Sequence, residues 1–141
     1  MDRPFVFLIA DGASSALGGA GWCYWKEGVF YEDHFWAGRQ VTNISEMLAI
    51  YMALITVPYG AEVLLWTDSK FCVEVLSGEQ PVSNPDLRRL RATILYMLDA
   101  MDCHVVAERV KSAENGLHHF VDLRARSQAR LANIRHERGE L

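Results

Sequence analysis

Little in this chain of 141 residues would hold it together other than a core of its own, for it has only three cysteines and four prolines. The cysteines, Cys23, Cys72 and Cys103, are odd in number and scattered among apolar neighbours. That excludes a fully paired disulfide framework and a paired zinc motif, and points to reduced core thiols. Long apolar stretches are also missing: Phe5 to Ala10 and Met47 to Pro58 are too short or too interrupted for the roughly 18 to 20 residues of a membrane helix. The start, Met1 to Pro4, lacks the charged and long apolar regions of a secretory leader, so a cytoplasmic protein without membrane contact is expected. Charge of one sign is not in excess either. Fourteen Lys and Arg against eighteen Asp and Glu leave a net charge of -4, unlike a strongly basic nonspecific nucleic-acid binder. The basic residues are uneven, however, with Arg88, Arg89, Arg91, Arg124, Arg126, Arg130, Arg135 and Arg138 all in the second half.

What is present is apolar material for one core. Half the residues are hydrophobic, 23% are charged, and the mean hydropathy is +0.01. The length suits a single domain over 1–141, with a frayed tail expected from about residue 135.

The run Phe5 to Ala10, closed by Asp11-Gly12, predicts a central strand buried on both faces. Gly18 to Gly21 reads as a flexible turn into Trp22 to Trp25, and Lys26-Glu27-Gly28 as a second turn before Val29 to Trp36. Three antiparallel strands follow from this. Asn43 to Ser45 cap a first helix whose first turn carries Glu46, and Pro58-Tyr59-Gly60 ends it. Ala61 to Trp66 is a fourth strand, and Thr67-Asp68-Ser69 opens a short helix ending at Ser77-Gly78. Ser83 to Asp86 caps a longer helix with Leu87, Leu90, Ile94, Leu95 and Leu98 inward. His104 to Val110 alternates as a fifth strand, and Lys111 to Gly116 is polar loop. From Leu117 onward, Phe120, Leu123, Ala125, Ala129 and Leu131 mark a final helix. The order predicts one mixed α/β sheet covered by helices, with the first strand between the meander and the fourth strand.

Ligands in such sheets sit at strand carboxyl ends where the chain order switches. Asp11 and Asp68 fall at two such ends, Glu46 in the first turn of the first helix, and Asp122 one turn into the last. Alone, each has an ordinary explanation as a turn residue, a cap or a helix carboxylate. Together they form a cluster that repels itself unless a cation neutralises it, and hard oxygen donors suit Mg2+ or Mn2+. A pair of such ions supports phosphodiester hydrolysis without a side-chain nucleophile.

The order and spacing of these pieces resemble ribonuclease H of type 1. The resemblance rests on Ile9-Ala10-Asp11-Gly12-Ala13-Ser14, the glycines Gly18 to Gly21, and Thr42-Asn43-Ile44-Ser45-Glu46-Met47-Leu48. It extends through Trp66-Thr67-Asp68-Ser69 to His119-Phe120-Val121-Asp122-Leu123-Arg124-Ala125, and so runs nearly end to end. It implies a ribonuclease H-like fold, with a five-stranded mixed sheet of three antiparallel and then two parallel strands flanked by helices. It implies a monomeric endonuclease that cuts the RNA strand of RNA–DNA hybrids, leaving 5'-phosphate and 3'-hydroxyl ends. Asp11 would bridge two Mg2+ ions, with Mn2+ as a substitute; Glu46 and Asp68 would complete one site and Asp122 the other. Gly12, Thr42 and Asn43 would meet the RNA strand, and Ser69 and Lys70 the DNA side.

The sequence departs from the family in one respect that bears on chemistry. Lys111 to Gly116 carries no histidine where the family's loop usually has one, which leaves Glu114, or His118 or His119, as auxiliary candidates. The four tryptophans and the helix arginines are expected to be structural or solvated, not nucleic-acid contacts. Two other readings stay open: a nuclease of the same fold acting on junctions or single strands, and a catalytically weak nucleic-acid-binding module.

Overall fold

The computed structural model describes residues 2–38, 42–78 and 80–141. Five strands, β1 (Phe5–Ser14), β2 (Gly19–Lys26), β3 (Val29–Trp36), β4 (Glu62–Thr67) and β5 (His104–Arg109), form one sheet in the order β3-β2-β1-β4-β5. β1 runs antiparallel to β2 and β2 to β3, whereas β1 and β4, and β4 and β5, are parallel. The helices are α1 (Thr42–Leu54), α2 (Lys70–Ser77), α3 (Pro85–Ala100) and α4 (Gly116–Glu137), with a 3-10 turn over Ser112–Glu114. This is the mixed sheet expected from the sequence, with β1 joining the meander to the parallel pair.

Side chains alternate across a strand, so β1 feeds two cores. Val6, Leu8 and Ala10 pack with Met47, Ile50 and Leu54 of α1, with Leu65 of β4, and with Leu87 and Ile94 of α3. Ile9 faces the opposite way, toward Cys23 of β2 and Val121 and Ala125 of α4, with Phe7, Trp25 and Trp66 around them. The Phe7 ring meets Trp66 and Trp25 edge-on at centroid distances of 4.7 and 5.7 Å. These tryptophans pack within the fold, as expected, and all three cysteines are buried free thiols.

Helix starts follow local chemistry. Ser69 accepts from the Cys72 N–H at 3.1 Å, and Asn84 accepts from Asp86 and Leu87, with Pro85 opening α3. Asn115 caps α4 by accepting from the His118 N–H at 3.0 Å.

Several local expectations are corrected. Gly19 and Gly21 belong to β2 and not to a turn, because α4 lies directly on them. A Cβ on Gly21 would come 2.4 Å from the Ala125 carbonyl oxygen, and one on Gly19 would come 2.3 Å from that of Ala129. Leu95 is 38% exposed on α3, while Ile94 turns inward. The last helix runs to Glu137, three residues into the segment expected to fray. It is pinned there by Arg135, which donates to His34 Nε2 at 2.9 Å, and by His136, stacked on Trp36.

Candidate active site

The site lies where β1 outruns β4. Parallel pairing between them ends at Ile9–Trp66, yet β1 continues against β2 through Ser14–Ala20. Asp11 is therefore a strand residue opposite Cys23, not a turn residue after the strand. It sits just past the point where β1 and β4 part, on the same strand face as Ile9 and hence toward α4. Gly12, next along, backs onto the start of α1: a Cβ there would come 2.2 Å from the Ser45 carbonyl carbon and 2.4 Å from the Glu46 nitrogen. The Ser14 and Ser45 hydroxyls also bond at 2.8 Å, tying the end of β1 to α1. This close approach brings Glu46 to the sheet end. The helix already begins at Thr42, so Glu46 enters in its second turn and not its first.

Asp68 follows β4, and its carbonyl accepts from Arg109 Nε at 3.2 Å. Asp122 lies one turn into α4, which starts at Gly116. Asp11 and Asp122 are buried, while Glu46 and Asp68 are half-buried.

The electrostatics set Asp11 apart. Burial, then the Asp122 and Glu46 carboxylates, push its pKa from 3.8 up to about 8, against a lowering by the Gly12 backbone. The Gly12 N–H donates to Oδ1 at 2.9 Å, whereas the buried Oδ2 has no partner among the described residues. Glu46 is also raised, by burial first and by Asp68, against the pull of the Ser69 hydroxyl. Asp122 is gripped on both oxygens by Arg126, with Nε at 3.2 Å and a terminal nitrogen at 3.1 Å. That clamp was not foreseen, although acid and arginine spaced i,i+4 along a helix are its signature.

The auxiliary candidates separate. His118 is fully buried on α4, and its Nε2 stands 3.8 Å from Asp11 Oδ2. Burial lowers its pKa from 6.5, opposed by Asp68 and Asp122. Glu114 is exposed in the 3-10 turn before α4. Among the substrate-side candidates, Thr42 is the first residue of α1, and Ser69 is buried as the α2 cap. Lys70 is exposed and pairs with Glu74 at 3.6 Å. Asn43 lines an open groove with Phe71, Val82, Ser83 and Asn84. Cys23 and Cys72 are buried thiols, and burial above all pushes each of them up to about 12.

Among the described residues no group of three or more His, Cys, Asp or Glu side chains is already assembled at holding distance for an ion. The residues nevertheless fit a divalent cation. Asp11 Oδ2 is a buried, unpartnered oxygen whose environment favours added positive charge. Ions such as Mg2+ use a few carboxylates and otherwise keep water, so an open set suits them.

No protein-family profile matches the sequence, and no curated protein does. Solved structures do match. The N-terminal RNase H domain of a Mycobacterium tuberculosis protein superposes with a TM-score of 0.70 at 23% identity, covering 92% of this chain and 99% of that one. RNase H1 of the halophilic archaeon Halobacterium salinarum gives 0.65 at 25% identity, over 87% and 98%. LC11-RNase H1, isolated from compost by a metagenomic approach and solved in complex with an RNA/DNA hybrid, gives 0.62 at 20%, over 88% and 98%. The fold is that of ribonuclease H1.

Proposed function

We propose that this chain, built on the ribonuclease H fold, is a divalent-metal endonuclease that hydrolyses the RNA strand of RNA–DNA hybrids. The observation that carries the reading is the buried, unpartnered oxygen of Asp11, whose carboxyl the neighbouring Asp122 and Glu46 carboxylates raise, while Asp68 in turn raises Glu46. The hybrid bound to LC11-RNase H1 supports the choice of substrate.

The carboxylates of Asp11, Glu46, Asp68 and Asp122 would hold two Mg2+ ions, or Mn2+ in their place, which when bound supply charge stabilisation for phosphodiester hydrolysis. In that reaction a water oxygen bonds to phosphorus and the bond to the 3'-oxygen breaks, leaving 5'-phosphate and 3'-hydroxyl ends. Burial and the neighbouring carboxylates raise the Asp11 carboxyl to about 8, and a bound cation would displace its proton. Gly12 keeps the β1 backbone bare where the strand meets the start of α1, and together with Thr42 and Asn43 it would take the RNA strand. Contacts to 2'-hydroxyls there would separate RNA from DNA. Ser69 and Lys70 would meet the DNA side. The protein would act as a monomer in the cytoplasm, a reducing compartment suited to three free buried thiols.

The test is cleavage of an end-labelled RNA–DNA hybrid beside matched double-stranded RNA, double-stranded DNA and single-stranded RNA, with Mg2+, Mn2+ or EDTA. Metal-dependent cutting confined to the RNA of the hybrid is expected. Cutting of another substrate moves the reading to a different nuclease of the same fold, and no cutting by folded, metal-loaded protein moves it to a binding module.

A further inference from the structure

His118 differs from every other histidine in the chain in being fully buried, and neither of its ring nitrogens has a hydrogen-bond partner among the described residues. A buried imidazole left with two unsatisfied nitrogens is costly and calls for a physical reason. Its surroundings supply one. Nε2 stands 3.8 Å from Asp11 Oδ2, which is itself buried and unpartnered. That separation is too long for a hydrogen bond. It is the right size for two donors on one ion: ligands each about 2.0 to 2.2 Å from a metal stand roughly 3 to 4 Å apart, depending on the angle between them. The Asn115 side chain accepts from the His118 N–H at 3.0 Å and so fixes the backbone of the first turn of α4, which carries the ring.

We infer that His118 Nε2 is a nitrogen ligand to the cation held by Asp11, so that the site has a mixed nitrogen and oxygen donor set and takes a first-row transition ion in preference to Mg2+. Imidazole is a borderline donor that binds such ions well and Mg2+ poorly, whereas carboxylates alone do not discriminate in that way. The neutral imidazole ring has a free lone pair on one nitrogen to donate. The inference rests on the metal-dependent reading proposed above and narrows it to the donor set of one ion.

The experiment uses the whole chain loaded with Mn2+ and pulsed electron paramagnetic resonance, which detects nitrogen bonded directly to the ion. Wild-type protein is prepared with natural-abundance histidine and with 15N-labelled histidine, beside His118→Gln and Asp11→Asn. The expected result is a directly coordinated nitrogen in wild type that changes with the isotope and disappears in both variants. With His118→Gln, Mn2+ affinity should fall by at least about tenfold, judged from the effect of losing even an outer-shell partner. Mg2+ affinity should fall by a smaller factor. Mn2+ bound at the Asp11 site without coordinated nitrogen, or with nitrogen coupling that survives His118→Gln, overturns the inference and leaves the nuclease reading standing. Folded wild-type protein that binds no Mn2+ overturns both. Even where a variant fails to fold, isotope labelling of wild type assigns the nitrogen to a histidine, and the lack of an isotope effect there overturns the inference.

Discussion

The two faces of the sheet are built from opposite materials. Under α1 and α3 the core is large and apolar, with Leu8, Met47, Ile50, Leu54, Leu65 and Ile94 all fully buried and no charge among them. Under α4 the buried residues are mostly small, namely Ala125, Ala129 and Ala132 with Val121, and Asp11, His118 and Asp122 are buried with them. One face supplies apolar burial, which drives folding; the other keeps titratable groups in a desolvated place at a cost to stability. The contrast predicts that substitutions on the two faces separate stability from chemistry.

The largest effect is expected from Asp11→Asn. Losing the carboxylate should reduce metal-dependent cleavage by about a hundred- to a thousandfold, the scale of removing a principal electrostatic group from an active site. The same change should stabilise the metal-free protein. In the unfolded chain Asp11 titrates near 3.8, and in the fold near 8. A raised carboxylate contributes its full stability below the lower value and loses it as pH rises through the higher one. Metal-free wild type should therefore melt at progressively lower temperature from pH 4 to pH 8, and Asp11→Asn should flatten that slope. At pH 8 the variant's Tm should exceed that of wild type by roughly 5 °C or more, given a few kcal/mol of linkage. Equal slopes in the two proteins would mean that Asp11 is not the group carrying the repulsion.

On the other face, Ile50→Ala removes a fully buried side chain and should cost about 2 to 5 kcal/mol in denaturant unfolding while leaving the metal affinity of the folded protein unchanged. Gly21→Ala tests the join between strand and α4. Its Cβ would sit 2.4 Å from the Ala125 carbonyl oxygen and 2.6 Å from the Ala129 nitrogen, both backbone atoms. The helix must move, at a cost of about 1 to 3 kcal/mol, and it carries Asp122 and His118 with it. Unlike Ile50→Ala, this variant should weaken metal binding as well as the fold.

That close approach also explains which parts of the fold were legible in the sequence. Strands β1 to β5 and the four helices follow from apolar runs, caps and turn residues, because those signals are local. The facing of α4 does not. Phe120, Leu123 and Leu131 suggest its apolar stripe, yet they are 58%, 40% and 39% exposed. The buried stripe is His118, Val121, Asp122, Ala125, Ala129 and Ala132. Only small side chains fit above Gly19 and Gly21, so size and not hydrophobicity decides the face, and size is set by a strand a hundred residues away. The four carboxylates stand out as candidates in the sequence because local signals put them near strand ends and helix starts. The clamp of Arg126 on Asp122 and the orphaned nitrogens of His118 depend on helix phase, which the apolar pattern misleads.

Arg126→Gln has the smallest expected effect and draws the comparison within the site itself. The arginine meets both oxygens of Asp122, but its side chain is 63% exposed, so the pair should add no more than about 1 kcal/mol to stability. Its larger influence is on cations. The chain already counters the charge of Asp122, whereas Asp11 has a single backbone N–H and an unpartnered oxygen. Removing one positive charge beside the cluster should therefore strengthen divalent-ion binding about two- to fivefold at low salt, the affinity equivalent of an ion pair worth up to about 1 kcal/mol. The gain should shrink as salt screens the exposed guanidinium. Calorimetric titration of wild type and Arg126→Gln at two ionic strengths reads both effects. Weaker binding in the variant would mean that the arginine chiefly orients Asp122 for the ion, and that both buried aspartates, not Asp11 alone, depend on an outside charge.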